Sequence, residues 1–276
     1  MCKILILTAH NPKQLASIVT RAWCYFNASG ESDGFGACWI TEDGKLAYVK
    51  SRRPHISKNV PSWVDSFSSS KLLNKPSNGG HLLIHGRKAT CGICLDNTHP
   101  MLSQCETHAL IHNGVVHSDT IKNITSSCDS ELLLNAMLEQ GLAGLKEITG
   151  YFAFGMLSRG RLTVVKDNTA SLFHAKTSRG HAFGTTTHAC SLVTQEPALP
   201  MKDNIAITFD SHARKPIAVD NIQKGVAKPT PQSNLPWPDV DDKPIYGEYK
   251  TNTNDYYRKK WSRHHVAATQ ADILTQ

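Results

Sequence analysis

Apolar positions fall in two rhythms along this chain. The run Lys3-Ile4-Leu5-Ile6-Leu7 has no polar alternation and predicts a strand buried on both faces. Asn11-Pro12 then marks a helix start, because Asn caps and Pro fits the first helical position. Leu15, Ile18, Val19, Ala22 and Phe26 continue at helical spacing. Gly30, Asp33, Gly34 and Gly36 interrupt that pattern as a turn-rich break. Strands are expected near 36–41 and 45–50, on either side of the turn Glu42-Asp43-Gly44. Residues 51–80 are polar and rich in Ser and Lys, with a short helix near 63–73.

Further strands are expected at 81–85 and 108–112. A helix is expected over 129–142, with Leu132, Leu133, Ala136 and Met137 on one face. Asp129 is placed to cap it, and Glu131 sits in its first turn. The spans 151–157 and 161–166 read as a hairpin around Ser158-Arg159-Gly160, followed by short strands near 171–175, 180–184, 189–194 and 204–209. Beyond about residue 212, Pro216, Pro229, Pro231, Pro236, Pro238 and Pro244 break any long element, and apolar residues thin out. The chain therefore divides into a domain over 2–212 and a Pro-rich, basic and aromatic tail over 213–276, extended or partly disordered. No internal repeat is visible.

Composition narrows the class. Of 276 residues, 40% are hydrophobic and 19% charged, as in a soluble globular protein with ample core. No apolar run reaches the length of a membrane span, and the first residues lack a signal-type apolar region or cleavage site. Eight cysteines without a secreted-scaffold spacing point to reduced thiols and a cytoplasmic location. The net charge of +7 is carried by scattered basic residues, which favours solubility over nucleic-acid binding.

Chemistry enters at Cys2. Removal of Met1 would leave a thiol nucleophile and a free α-amine on one residue, and an N-terminal amine is a known base for such a nucleophile. Four other segments stand out in order: His85-Gly86-Arg87-Lys88-Ala89-Thr90, Asn97-Thr98-His99-Pro100, His112-Asn113-Gly114 and Asp129-Ser130-Glu131. Taken singly, each has a plain reading: Arg87 as a surface arginine at a strand end, Asn113-Gly114 as a hairpin turn, Asp129 as a helix cap, His85 and His112 as packed histidines. Their joint occurrence in this order is what carries information.

Together with Cys2 the segments resemble the glutaminase domain of class II glutamine amidotransferases, among the N-terminal nucleophile (Ntn) hydrolases, stand-alone type. Ser32-Asp33-Gly34-Phe35-Gly36 resembles the family's glycine-rich turn, and 151–155 with 162–167 its central hairpin. The resemblance covers roughly residues 2–195. Lys3 stands where many members have glycine, and Ala28-Ser29 where an arginine often precedes the glycine-rich turn. The resemblance implies an α+β fold, a four-layer αββα sandwich of two antiparallel sheets. It implies Cys2 as nucleophile, Asn113 and Gly114 as oxyanion donors, and Arg87, Asp129 and Thr90 as contacts to the amino-acid head group of glutamine. The activity implied is glutamine hydrolysis through a γ-glutamyl thioester on Cys2.

No phosphate loop or dinucleotide fingerprint is present in the sequence, so an ammonia-consuming synthase is expected on a separate polypeptide. Two alternatives stay open: an Ntn amidase acting on another γ-glutamyl or amide compound, and a catalytically silent binding module. Cys91, Cys94, Cys105 and His108 have the residue types of a zinc site. They fall in a segment that carries no metal in the family, and neither metal nor cofactor is expected. The stretch Tyr256-Tyr257-Arg258-Lys259-Lys260-Trp261-Ser262-Arg263-His264-His265 is read first as solvated tail, then as a protein-docking segment, and last as a nucleic-acid contact. No membrane partner is expected.

Overall fold

The computed structural model describes residues 2–52, 77–89, 93–121, 128–210 and 215–226. The first strand, β1 (Lys3–Leu7), leads through a 3-10 turn (Pro12–Gln14) into α1 (Leu15–Ala28). Asn11 caps that turn by accepting from the Lys13 N–H at 3.1 Å. Then follow β2 (Gly34–Thr41), β3 (Leu46–Arg52), β4 (Ser77–Arg87), the two-residue β5 (Met101–Leu102) and β6 (His108–His117). After α2 (Ser130–Gln140) and a 3-10 stretch (Gly141–Glu147) come β7 (Thr149–Ser158), β8 (Arg161–Lys166), β9 (Phe173–Lys176) and β10 (His181–Gly184). The described chain closes with α3 (Thr187–Ser191), β11 (Leu199–Pro200), β12 (Ile205–Asp210) and β13 (Ala218–Asn221).

The strands form two antiparallel sheets. One has the order β11-β9-β10-β1-β4-β2-β3, the other β13-β12-β8-β7-β6-β5. Side-chain alternation sorts their apolar residues into three cores. Ile4 and Ile6 of β1, with Leu83 of β4, join Ile111, Ala153 and Val164 of the second sheet, so this core lies between the sheets. Leu5 and Leu7, with Leu82 and Ile84, face the other way onto Ile18, Val19, Ala22 and Phe26 of α1. Leu110, Phe152 and Phe154 of the second sheet face Leu132, Leu133 and Ala136 of α2. Three cores separate four layers, αββα. The unbroken Ile/Leu run of β1 follows from its position, since both faces of the strand meet a core.

Some local expectations fail. The stretch at 189–194 is no strand: Thr186 accepts from the Ala189 N–H at 3.1 Å and starts the short α3. α2 stops at Gln140, where Gly141 turns the chain with φ +60°. β2 begins at Gly34, within the expected turn-rich break. Described structure continues past residue 212, where β13 (Ala218–Asn221) pairs with β12. That segment is held by the β12–β13 ladder, by Ile222 in the α2-side core and by a buried carboxylate. Asp167, fully buried, accepts from the Thr169 and Ala170 N–H groups at 2.9 and 2.7 Å, and from the Lys224 ammonium at 2.7 Å. Lys224 also donates to the Gly150 carbonyl at 2.8 Å. The expected helix at 63–73 and the basic-aromatic stretch from Tyr256 lie outside the described residues.

Because Ile6 is fully buried between the sheets, Ile6→Ala is expected to cost about 2–5 kcal/mol of stability. Val219→Ala, on a residue 59% exposed in β13, should stay within about 0.5 kcal/mol. Urea denaturation of the two variants checks the contrast.

Candidate functional site

β1 and β4 run antiparallel with Lys3 opposite Gly86, which sets Cys2 beside the end of β4. The Cys2 thiol is half-buried and donates to the Lys88 carbonyl at 3.5 Å. Burial pushes its pKa up, and Asp129 adds to the rise. The Lys88 hydrogen bond and Arg87 oppose it. Arg87 and Asp129 therefore both act on this sulfur, although one ends β4 and the other precedes α2. No preformed thiolate exists in these surroundings, so a base must take the proton as the sulfur reacts.

Arg87 is the last residue of β4 and only 3% exposed, not a surface arginine. Its backbone pairs with Gly34. Asp33 ties the neighbouring stretch on both sides: its N–H donates to the Arg87 carbonyl at 3.1 Å, and its carboxylate accepts from the Ala89 N–H at 2.9 Å. Asp33 was not singled out from the sequence as a residue that shapes the site. Its only local signal is the glycine-rich segment around it.

Asn113 and Gly114 do not form a hairpin turn. Both lie inside β6, opposite Ala153 and Phe152 of β7. Asn113 shares the strand face of Ala109 and Ile111, which points between the sheets. Gly114 has φ +153°, and a Cβ there would strike the Tyr151 carbonyl oxygen and stand 2.6 Å from His112 Nε2. Asp129 precedes α2 but makes no side-chain cap. Its carboxylate instead accepts from the Val116 N–H at 2.8 Å, anchoring the helix start to β6. Thr90 lies outside the described residues.

Three buried histidines cluster beside these groups, one pair tilted and the other edge-on. The His85 and His99 ring centroids are 4.0 Å apart, and those of His99 and His112 are 6.5 Å apart. Burial lowers the pKa of His85 to about 3 and of His112 to about 4. Burial, with the nearby His85, His112, Lys50 and Arg87, pushes His99 well below the usual imidazole range. All three are neutral at neutral pH. The loop that carries His99 lies directly on β2. A Cβ at Gly36 would strike the His99 carbonyl, and one at Gly34 would stand 3.0 Å from Thr98 Oγ1.

Lys3, the departure from the family pattern, projects to the opposite face of β1 from Ile4. There its ammonium pairs with the buried Glu31 carboxylate at 2.7 Å and sits 6.0 Å from the centre of the Tyr25 ring. Its charge is thus neutralised on the α1 side. Among the described residues no cluster of three or more His, Cys, Asp or Glu has the geometry of a metal site. Cys105 bonds to Thr107 Oγ1 at 2.9 Å, and Cys91 lies outside the described residues. No helix among the described residues is long and apolar enough to cross a membrane.

Two outcomes are expected. Gly114→Ala should lose at least about 2 kcal/mol of stability by urea denaturation, through overpacking and backbone strain. Gly160→Ala, where a Cβ meets nothing within 4 Å, should be neutral. The histidines also set an acid dependence. An unfolded imidazole titrates near 6.5, so below that pH the unfolded chain binds protons that the folded chain does not. Stability is then fully present above about pH 6.5 and falls progressively toward pH 3–4, the folded values of His85 and His112. His99→Phe should flatten that slope, as read from urea midpoints between pH 4.5 and 7.

Comparisons with known proteins bear on the family and the fold. The "Glutamine amidotransferase domain" family profile matches residues 75–228, more than half of the chain. No curated protein sequence matches. Among solved structures, an allosteric regulatory enzyme of purine biosynthesis superposes with a TM-score of 0.63 at 18% identity, over 82% of this chain and 50% of that one. The glutamine phosphoribosylpyrophosphate amidotransferase of B. subtilis gives 0.62 at 17% identity, again over 82% and 50%. The chain thus spans about half the length of these relatives, which share its fold. With its two antiparallel sheets and the matched profile, the chain belongs to the class II glutamine amidotransferase family, on the Ntn-hydrolase fold.

Proposed function

We propose that this protein hydrolyses glutamine to glutamate and ammonia with Cys2 as nucleophile, and passes the ammonia to a synthase on a separate polypeptide. The observation that supports the reading is the placement of Cys2 at the end of β4, its thiol on the Lys88 carbonyl next to the buried Arg87, with Asp129 near enough to raise its pKa. Free glutamine bears a carboxylate and an ammonium, so its site needs one charge of each sign beside the nucleophile. Arg87 offers a planar fork for the carboxylate, and Asp129 a counter-charge for the ammonium. Thr90 is assigned a further polar contact.

Removal of Met1 frees the Cys2 amine. Such an amine titrates near 7.7–8 and is partly neutral at cellular pH. It takes the thiol proton as Sγ attacks the carboxamide carbon. The Asn113 side-chain amide and the Gly114 N–H hold the oxyanion. On collapse, the amine returns the proton to the departing ammonia, leaving a γ-glutamyl thioester. Water, deprotonated by the same amine, attacks the thioester carbonyl and releases glutamate and the thiol. The free described thiols accord with a cytoplasmic setting.

Intact mass is expected to show loss of Met1, and a diazoketone mimic of glutamine should label Cys2. Cys2→Ala should abolish glutaminase activity. Asn113→Ala should lower kcat about 100-fold or more. Asp129→Asn, which keeps an acceptor for Val116, should raise KM for glutamine about tenfold. Retained Met1 together with an unlabelled Cys2 would overturn the reading, and preference for γ-glutamyl peptides over glutamine would redirect it to an amidase.

A further inference from the structure

The three histidines are not placed as reactants, yet they sit where all the site segments meet. His85 lies two residues before Arg87 on the same face of β4. His112 immediately precedes Asn113. Ser130, which His112 touches, immediately follows Asp129. His99 belongs to the loop pressed onto Gly36, opposite His85 in the sheet register. The rings are 0%, 3% and 2% exposed for His85, His99 and His112.

Two directional bonds run through the cluster. His85 Nε2 lies 3.0 Å from the His112 carbonyl oxygen. A carbonyl only accepts, so His85 carries its proton on Nε2 and donates. That carbonyl belongs to the peptide unit whose N–H is that of Asn113, so the bond fixes the plane entering the Asn113-Gly114 dipeptide. The second bond joins His112 Nδ1 to Ser130 Oγ at 2.9 Å and locks the ring beneath Gly114. The remaining His85 nitrogen and both His99 ring nitrogens meet no hydrogen-bond partner among the described residues. The links through the cluster are His85–His112 and His112–Ser130, with His112 also interacting with the Tyr151 backbone and His99 adding ring contact.

We propose that His85, acting through the His112 carbonyl, is a positioning residue that aims the Asn113-Gly114 donors at the developing oxyanion, and that the His112–Ser130 bond keeps this unit in register with Asp129. The inference rests on the glutaminase reading above. Donors of this kind act on the transition state far more than on bound substrate. Losing the His85 donor therefore lowers kcat and leaves substrate binding nearly unchanged.

The test compares His85→Phe, which keeps a ring but no donor, with His85→Gln, whose side-chain amide nitrogen reaches about where Nε2 lies. In purified full-length protein, His85→Phe is expected to lower kcat for glutamine about 10- to 100-fold with KM within about threefold. His85→Gln should recover most of that loss. Alkylation of Cys2 by iodoacetamide, read at the Cys2 peptide by mass spectrometry, needs no oxyanion donors and should proceed at the wild-type rate. If His85→Phe does not fold, Ser130→Ala decides by the same split, with a smaller fall in kcat and unchanged KM. Wild-type kcat in His85→Phe, a change confined to KM, or failure of His85→Gln to recover activity in a folded protein overturns this inference alone. Wild-type protein without Cys2-dependent glutaminase activity overturns it together with the reading beneath it.

Discussion

The pairing of β1 with β4, Lys3 opposite Gly86, is the constraint on which the site depends. A five-residue strand buried on both faces has one tolerable register in rotation about its own axis. Ile4 and Ile6 must meet the second sheet, and Leu5 and Leu7 must meet α1. A slip by one residue would exchange these sets, push the Lys3 ammonium into the inter-sheet core and separate it from Glu31. Cys2 would turn away from Arg87 at the same time. The apolar run therefore fixes which way the first residue of the described chain faces, and the Lys3–Glu31 pair reinforces that choice from the polar side.

Charge is distributed around the Cys2 sulfur with the same economy. Lys3 is neutralised behind the strand, and the three histidines below are held neutral by burial. Arg87 and Asp129 are left to act on the sulfur with opposite sign. Were the histidines protonated, cations would accumulate beneath Arg87 and oppose it for lack of solvent screening. Neutral imidazoles supply donors and aromatic bulk without a field that competes with the charges above them. This explains in physical terms why histidine can occupy three contacting buried positions beside the oppositely charged Arg87 and Asp129.

The architecture was legible because much of it is local pattern. The unbroken run at Lys3–Leu7, the helical spacing of Leu15 to Phe26 and the hairpin around Ser158-Arg159-Gly160 each state their element within a few residues. What was misread depends on distant partners. Residues 189–194 look like a strand in isolation, but Thr186 caps a helix there and packs Ala189 and Cys190 onto the α1 side of the first sheet. Residues 215–226 look like tail in sequence, but the β12–β13 ladder and the Lys224–Asp167 pair hold them, and no local pattern reports a lysine's remote counter-ion. Asn113-Gly114 has the composition of a turn. Its place within β6 is set by the Tyr151 carbonyl and the His112 ring, which leave room for no side chain at 114.

The candidate site shows the same division. Residue types at fixed order named Cys2, Arg87, Asn113, Gly114 and Asp129, and each is recognisable because its chemistry limits the choice of side chain. The supporting roles were silent in the sequence, even where Asp33 and Ser130 stood inside informative segments. Asp33, Ser130 and Glu31 act by accepting or relaying one hydrogen bond each, and such roles leave no signature that separates them from any surface Asp, Ser or Glu. Glycines 34, 36 and 114 fall between these cases. Only the packed structure shows that two of them admit the Thr98-His99 loop and the third admits a carbonyl and an imidazole. A glycine forced by close approach cannot be told in sequence from one that merely permits a turn, which is why the Asn113-Gly114 dipeptide was the most ambiguous part of the site before its strand partners were known.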